Sequence, residues 1–202
     1  MNDMGAASAK RDYALFTLTG APRIRWKFHD EGIAIEGDQL SWQDGEVRKR
    51  ASLKNVREVH LQCIETKDGA IGTCVITFRN LAKLTIRAAS AHGSPDEERA
   101  LVYAAFLKDL HDSIVAHNAK DARVDYVGGV SPLRFKVVVG AMIVAIAMFV
   151  ALPVVLLFIT GDSQALWLAA GGAFFVYPLF RSMQRSAPQK YQPDAIPEEL
   201  LP

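Results

Sequence analysis

Between Tyr13 and Arg87 apolar and polar residues alternate in short runs, and the alternation ends abruptly at Ser94. In Arg23-Ile24-Arg25-Trp26-Lys27-Phe28-His29 the cations take one face and the apolar residues the other, the signature of a half-buried antiparallel strand. Gly20-Ala21-Pro22 reads as the turn from an earlier strand over Tyr13 to Leu18. Further strands are predicted at Gly32 to Glu36, Gln39 to Gln43 and Glu46 to Ala51, with a tight hairpin turn at Asp44-Gly45. Lys54 to Ile64 alternates imperfectly, which predicts a bulge near Arg57-Glu58. Ile71 to Phe78 and Lys83 to Arg87 complete a meander of about seven strands.

The period then changes from two to three and four. Ser94-Pro95-Asp96-Glu97 reads as a helix start, with Ser94 as cap, Pro at the first position and acids at the positive end of the dipole. Tyr103, Leu107, Leu110 and Ile114 form an apolar stripe with Val102 and Phe106 beside it, so a helix to about His117 covers one face of the sheet. The pattern therefore predicts an α+β domain over 13–118, preceded by a flexible stretch at 1–12 and followed by a polar linker at 119–136.

Beyond Val137 the polar residues nearly vanish. Two charge-free runs, 137–160 and 165–180, are joined by Gly161-Asp162-Ser163-Gln164, and the spans they predict are 137–160 and 164–181. The first makes a helix of roughly 36 Å, longer than a hydrocarbon core of about 30 Å. The second, at roughly 24 Å for its apolar part, borrows polar flanks to span. The reading is a two-helix transmembrane hairpin over 137–181, with a kink at Pro153 and a flexible, Pro-rich tail at 182–202. Ala141/Ala145, Ala147/Ala151 and Ala169/Ala173 set small residues four apart, a packing face for the other span or for a second protomer in a homo-oligomer. No charge lies within either run, which argues against an ion or proton pathway.

Charge sets the orientation. Arg123, Arg134 and Lys136 flank the first run and Arg181, Arg185 and Lys190 the second, while the connecting loop has no Lys or Arg. The positive-inside rule then places the domain and both termini in the cytoplasm, with the protein in a bacterial inner membrane. Met1 to Lys10 holds no apolar stretch of the secretory kind. Over 1–136 the chain has 20 Lys and Arg against 18 Asp and Glu, without the basic excess of a nucleic-acid binder.

The string Asp38-Gln39-Leu40-Ser41-Trp42-Gln43-Asp44-Gly45, followed by Leu53-Lys54-Asn55-Val56-Arg57-Glu58-Val59, resembles the bacterial membrane-attached members of the pleckstrin-homology-like (PH-like) superfamily. The resemblance covers residues 13–118. It implies a PH-like barrel of about seven antiparallel strands closed by a C-terminal helix, acting as a binding or assembly module for a partner it does not identify.

Candidate chemistry is sparse. Arg23, Arg25 and Lys27 share one strand face, and the PH-like resemblance makes them candidate contacts for anionic lipid or another anionic ligand; as plain sequence they also fit the solvated face of an edge strand. Arg48-Lys49-Arg50 cannot converge on one ligand, because Lys49 points away from its neighbours. The five histidines and two cysteines lack metal spacing, and Cys63 and Cys74 read as small hydrophobes in a reducing compartment. No G-x-S-x-G, Walker or G-x-G-x-x-G motif is present, so neither a catalytic residue nor a cofactor or metal is expected. The alternative in another class is a small integral-membrane enzyme with its site where domain and bilayer meet.

Overall fold

The structure is a computed structural model that describes every residue except 1–9, 21–31, 91, 119–122, 162–166, 168–169, 175, 178–179 and 182–186. It divides into two compact units: Met1–Gly128 together with Lys190–Pro202, and Gly129–Gln189.

The first unit holds two sheets. β1 (Arg11–Tyr13), β3 (Ile33–Glu36), β4 (Gln39–Asp44) and β5 (Val47–Ser52) form one, in the order β1-β3-β4-β5. The other runs β10-β9-β6-β7-β8-β2, from β2 (Phe16–Thr19), β6 (Val56–Thr66), β7 (Gly69–Phe78), β8 (Leu84–Ala88), β9 (Asp125–Gly128) and β10 (Gln189–Lys190). β1 and β2 are one strand path broken at Ala14-Leu15, so the chain steps between sheets there. A second step lies at the 3₁₀ turn Leu53–Asn55 between β5 and β6. Each corner is pinned by a leucine with no exposed surface, Leu15 and Leu53. Backbone bonds fix both: Leu15 N–H donates to the Tyr13 carbonyl at 3.0 Å, and Leu53 N–H to that of Asp38 at 2.7 Å.

The alternation read from the sequence puts Val59 and Leu61 of β6, Cys74 and Ile76 of β7 and Leu84 and Ile86 of β8 fully inside. Against them lies α1 (Glu97–Asn118), through Tyr103, Phe106, Leu107, Leu110 and Ile114. The bulge expected near Arg57 is a register shift between Val56 and Glu58 against β7. Trp42 is core: it stacks on Phe78 at 6.1 Å, and its indole N–H donates to Thr19 Oγ1 at 2.9 Å. Burying that ring without a partner for its N–H would cost on the order of 1–3 kcal/mol, and Thr19 removes the penalty.

Several expectations are corrected. The helix is capped by Asp96, whose Oδ1 accepts from Arg99 N–H at 3.1 Å. Ser94 instead closes a loop with Ser90, their hydroxyls 2.6 Å apart. β1 starts at Arg11, inside the stretch expected to be flexible. The linker at 119–136 contains β9, which lies parallel to β6 in the register Glu58↔Asp125 to Leu61↔Gly128. The tail, expected to be flexible, is folded on the sheet unit from Lys190 onward, with Tyr191 and Leu200 buried. Apolar residues among the prolines explain this, since they reach a surface that local composition does not reveal. The predicted strand at Arg23 to His29 lies outside the described residues.

In the second unit, α2 (Pro132–Ile146), a π-helical turn (Ala147–Ala151) and α3 (Leu152–Thr160) run on as one helix. Its stretch Leu133–Ile159, whose most apolar 18 residues have mean hydropathy 3.0, is almost wholly exposed. By length and composition it is able to cross a membrane, and among the described residues no other helix is. The expected hairpin of two spans thus appears as one span. Of 164–181 the structure describes 167, 170–174, 176–177 and 180–181, all helical.

Pro153 produces the irregularity predicted there as a π turn: proline has no N–H to give the Phe149 carbonyl four residues earlier, and the turn widens, with Leu152 N–H reaching Ala147 O. Gly172 lies against that same Phe149 carbonyl, so closely that a Cβ would overlap it.

Gly72 makes a comparable close approach in the sheet unit. A Cβ there would stand 2.6 Å from Tyr103 Cε1, and the ring is locked inside the core. Gly72→Ala is expected to lower stability by about 1–3 kcal/mol, read as a shift in the denaturation midpoint of the full chain with an unchanged slope.

Candidate functional site

The basic face proposed from sequence, Arg23, Arg25 and Lys27, lies outside the described residues. The second basic cluster behaves as its alternation implies. Lys49 stands opposite Trp42 in register and pairs with Asp44 at 2.6 Å, whereas Arg48 turns to the other face and donates to Ser41 Oγ at 3.4 Å. Cys63 and Cys74 are both free thiols. Cys74 is fully buried and its acidity is suppressed by that burial. Cys63 is half-buried and its thiol donates to the Leu201 carbonyl at 3.3 Å. No group of three or more His, Cys, Asp or Glu suited to a metal ion occurs among the described residues.

Two places on the sheet unit carry concentrated polar chemistry. The first is an open groove of about 300 Å³ where β1 and the β3 end meet the last turns of α1; Arg11, Asp109, Asp112 and His117 supply its charged and titratable walls. Its groups are largely turned on one another. Asp109 accepts from both the Arg11 guanidinium and the Tyr13 hydroxyl. Burial disfavours the Asp109 charge, yet those two hydrogen bonds with the charges of Arg11 and Lys108 outweigh it, and the carboxyl sits below its ordinary value. Tyr13 is pushed up to about 12, first by burial and then by the Asp109 carboxylate. His117 Nδ1 donates to the Ser113 carbonyl at 2.8 Å, so the ring is committed to its own helix. The groove can receive a small polar group, but it holds no nucleophile paired with a base.

The second place is the seam where the tail meets α1 and β9. His111 is 1% exposed and uses both ring nitrogens. The Leu107 carbonyl, 2.6 Å from Nδ1, can only accept, so Nδ1 carries the proton. Nε2 then accepts from the Tyr191 hydroxyl at 2.9 Å. Tyr126 of β9 stacks on the imidazole at 5.3 Å and meets Tyr191 edge-on at 5.7 Å. The Tyr191 N–H donates to the Tyr126 carbonyl at 3.3 Å, and Leu200 fills the space over Gly128. Sequence reading set His111 aside as a non-ligand. The usable signal was its position, since Leu107, Leu110, His111 and Ile114 follow the spacing of a buried stripe.

No protein-family model and no curated protein matches this chain. Among solved structures, the hSac2 domain from the human phosphoinositide phosphatase Sac2 is similar with a TM-score of 0.37 and 12% identity, covering 65% of this chain and 82% of that one. At that score the likeness carries no argument.

The Asp109 pairing has a pH signature. Because its folded value is depressed, its stabilisation is present above the ordinary carboxyl value of 3.8 and disappears as pH falls through the lower folded value. Asp109→Asn should therefore reduce stability at pH 7 and make the decline of the melting temperature below pH 4 shallower than in wild type.

Proposed function

We propose that this chain is a membrane-anchored, cytoplasmic-facing binding or assembly module: a PH-like domain tethered by an apolar excursion that begins and ends at its own sheet. The observation that carries the reading is the pairing of β10 beside β9. The chain leaves the sheet unit after Gly128 and rejoins it at Lys190, so both limbs of the excursion belong to one side of any bilayer. A single crossing by Leu133–Ile159 would strand the tail on the far side. The chain must then cross back between Gly161 and Gln189, and the apolar residues 165–181 have about the length a return requires. The contact of Gly172 with the Phe149 backbone supports this return, since close approach at small residues is how helices associate in lipid.

The exposed apolar surface of Leu133–Ile159 supports burial in lipid, because a surface of that extent in water is an aggregation hazard. The flanking cations Arg134, Lys136, Arg181, Arg185 and Lys190, set against a connection without Lys or Arg, support a cytoplasmic domain in the inner membrane of a bacterium.

The PH-like reading is supported by the strand order itself. Counting β1 and β2 as one bent strand, seven antiparallel strands in two sheets pass through two corners and are covered by α1. A module that binds rather than catalyses is supported by the groove at Arg11 and Asp109, whose charges satisfy each other. The partner is a protein or the anionic bilayer surface, the latter through Arg23, Arg25 and Lys27.

Topology fusions test the anchor. Alkaline phosphatase joined after Val130 or after Pro202 is expected to be inactive, and joined after Asp162 active. Activity after Pro202 would mean that the chain does not return.

A further inference from the structure

The seam at His111 is built from three parts of the chain: α1, β9 and the tail. The imidazole forms a three-ring cluster with Tyr126 and Tyr191, with its one proton spent on the Leu107 carbonyl and its lone pair on the Tyr191 hydroxyl. Further along, the tail is held by apolar packing: Leu200 rests on Gly128, Ile196 and Leu201 pack against the same core, and Pro202 lies over Gly72 beside the Tyr103 ring, while Leu201 takes one bond from Cys63. The Tyr103 hydroxyl beneath is fully buried with no hydrogen-bond partner.

We propose that residues 191–202 form a releasable strap and that protonation of His111 opens it. The neutral ring fits the closed seam, because a second ring proton would place a charge on an imidazole only 1% exposed and, by turning Nε2 into a donor, force the Tyr191 hydroxyl to redirect its own proton. The Leu107 carbonyl and then Asp112, both on its own helix, favour the cation, while Tyr126 from β9 and Tyr191 from the tail are neutral phenols whose ionisation burial opposes. The Asp125–Lys190 pair, at 3.8 Å, belongs to the opposite face of β9 from Tyr126. Burial dominates and holds His111 below its ordinary 6.5 in the closed state. The open state therefore binds the extra proton more readily, and closure weakens as pH falls below about 6.5.

The strap is independent of the anchoring proposal.

Hydrogen exchange of the full chain in detergent micelles tests the strap, with exchange times scaled to the intrinsic rate at each pH. From pH 7.5 to 5.0 the scaled exchange of peptides covering Tyr191 to Leu201 is expected to rise by up to about 30-fold. The β4–β5 hairpin should stay unchanged. His111→Gln should abolish the rise whether its strap rests open or closed. Tyr191→Phe, which keeps the ring, guards against a His111 variant that fails to fold: it should raise exchange already at pH 7.5 and shrink the acid-driven increase. The proposal is overturned if the strap stays protected until the hairpin also exchanges, if His111→Gln retains the acid response, or if Tyr191→Phe changes neither value.

Discussion

The tail meets the sheet unit where the Tyr191 N–H reaches the Tyr126 carbonyl and the Tyr191 hydroxyl reaches His111. This junction converts a chain with a domain at one end and an apolar segment at the other into a closed circuit. Without it, the Tyr126 carbonyl of β9 would lose the Tyr191 N–H, and His111 would be a buried imidazole with an unmet acceptor. Each is expensive alone, since an unsatisfied buried polar group costs on the order of 1–3 kcal/mol. Together they are satisfied by a tail whose composition gives no hint of order.

Inside the apolar unit, Pro153 and Gly172 act on one carbonyl: the proline withholds an N–H from Phe149, and the glycine lets a second stretch of helix lie against it. A larger residue at Gly172 would push the two stretches apart.

Much of the sheet unit is legible in sequence because its information is local. Alternation at Val59-His60-Leu61 and Cys74-Val75-Ile76 reports a buried face directly, and Leu107, Leu110 and Ile114 report a helix stripe. The hairpin at Asp44 to Val47 follows from Gly45, whose φ of 69° is the region glycine favours. What escaped is information shared between distant segments. Ser94 and Asp96 are both good caps, and the Ser90–Ser94 hydroxyl contact decides between them. The pairing of β9 with β6 joins residues more than sixty positions apart, with only Tyr126 and Val127 as local hints. Tyr191 and Leu200 sit among prolines, where low apolar content reads as an unfolded tail.

Removing the tail tests the central claim most directly. A chain ending at Lys190 keeps the apolar unit and every strand of the two sheets, but loses Tyr191, Leu200 and the seal over His111. In chemical denaturation of the detergent-solubilised protein, the midpoint of the sheet unit should fall by the equivalent of about 2–5 kcal/mol, the cost of emptying a buried aromatic or leucine site. An unchanged midpoint would contradict the account, because it would make the returning tail a passive end of the chain.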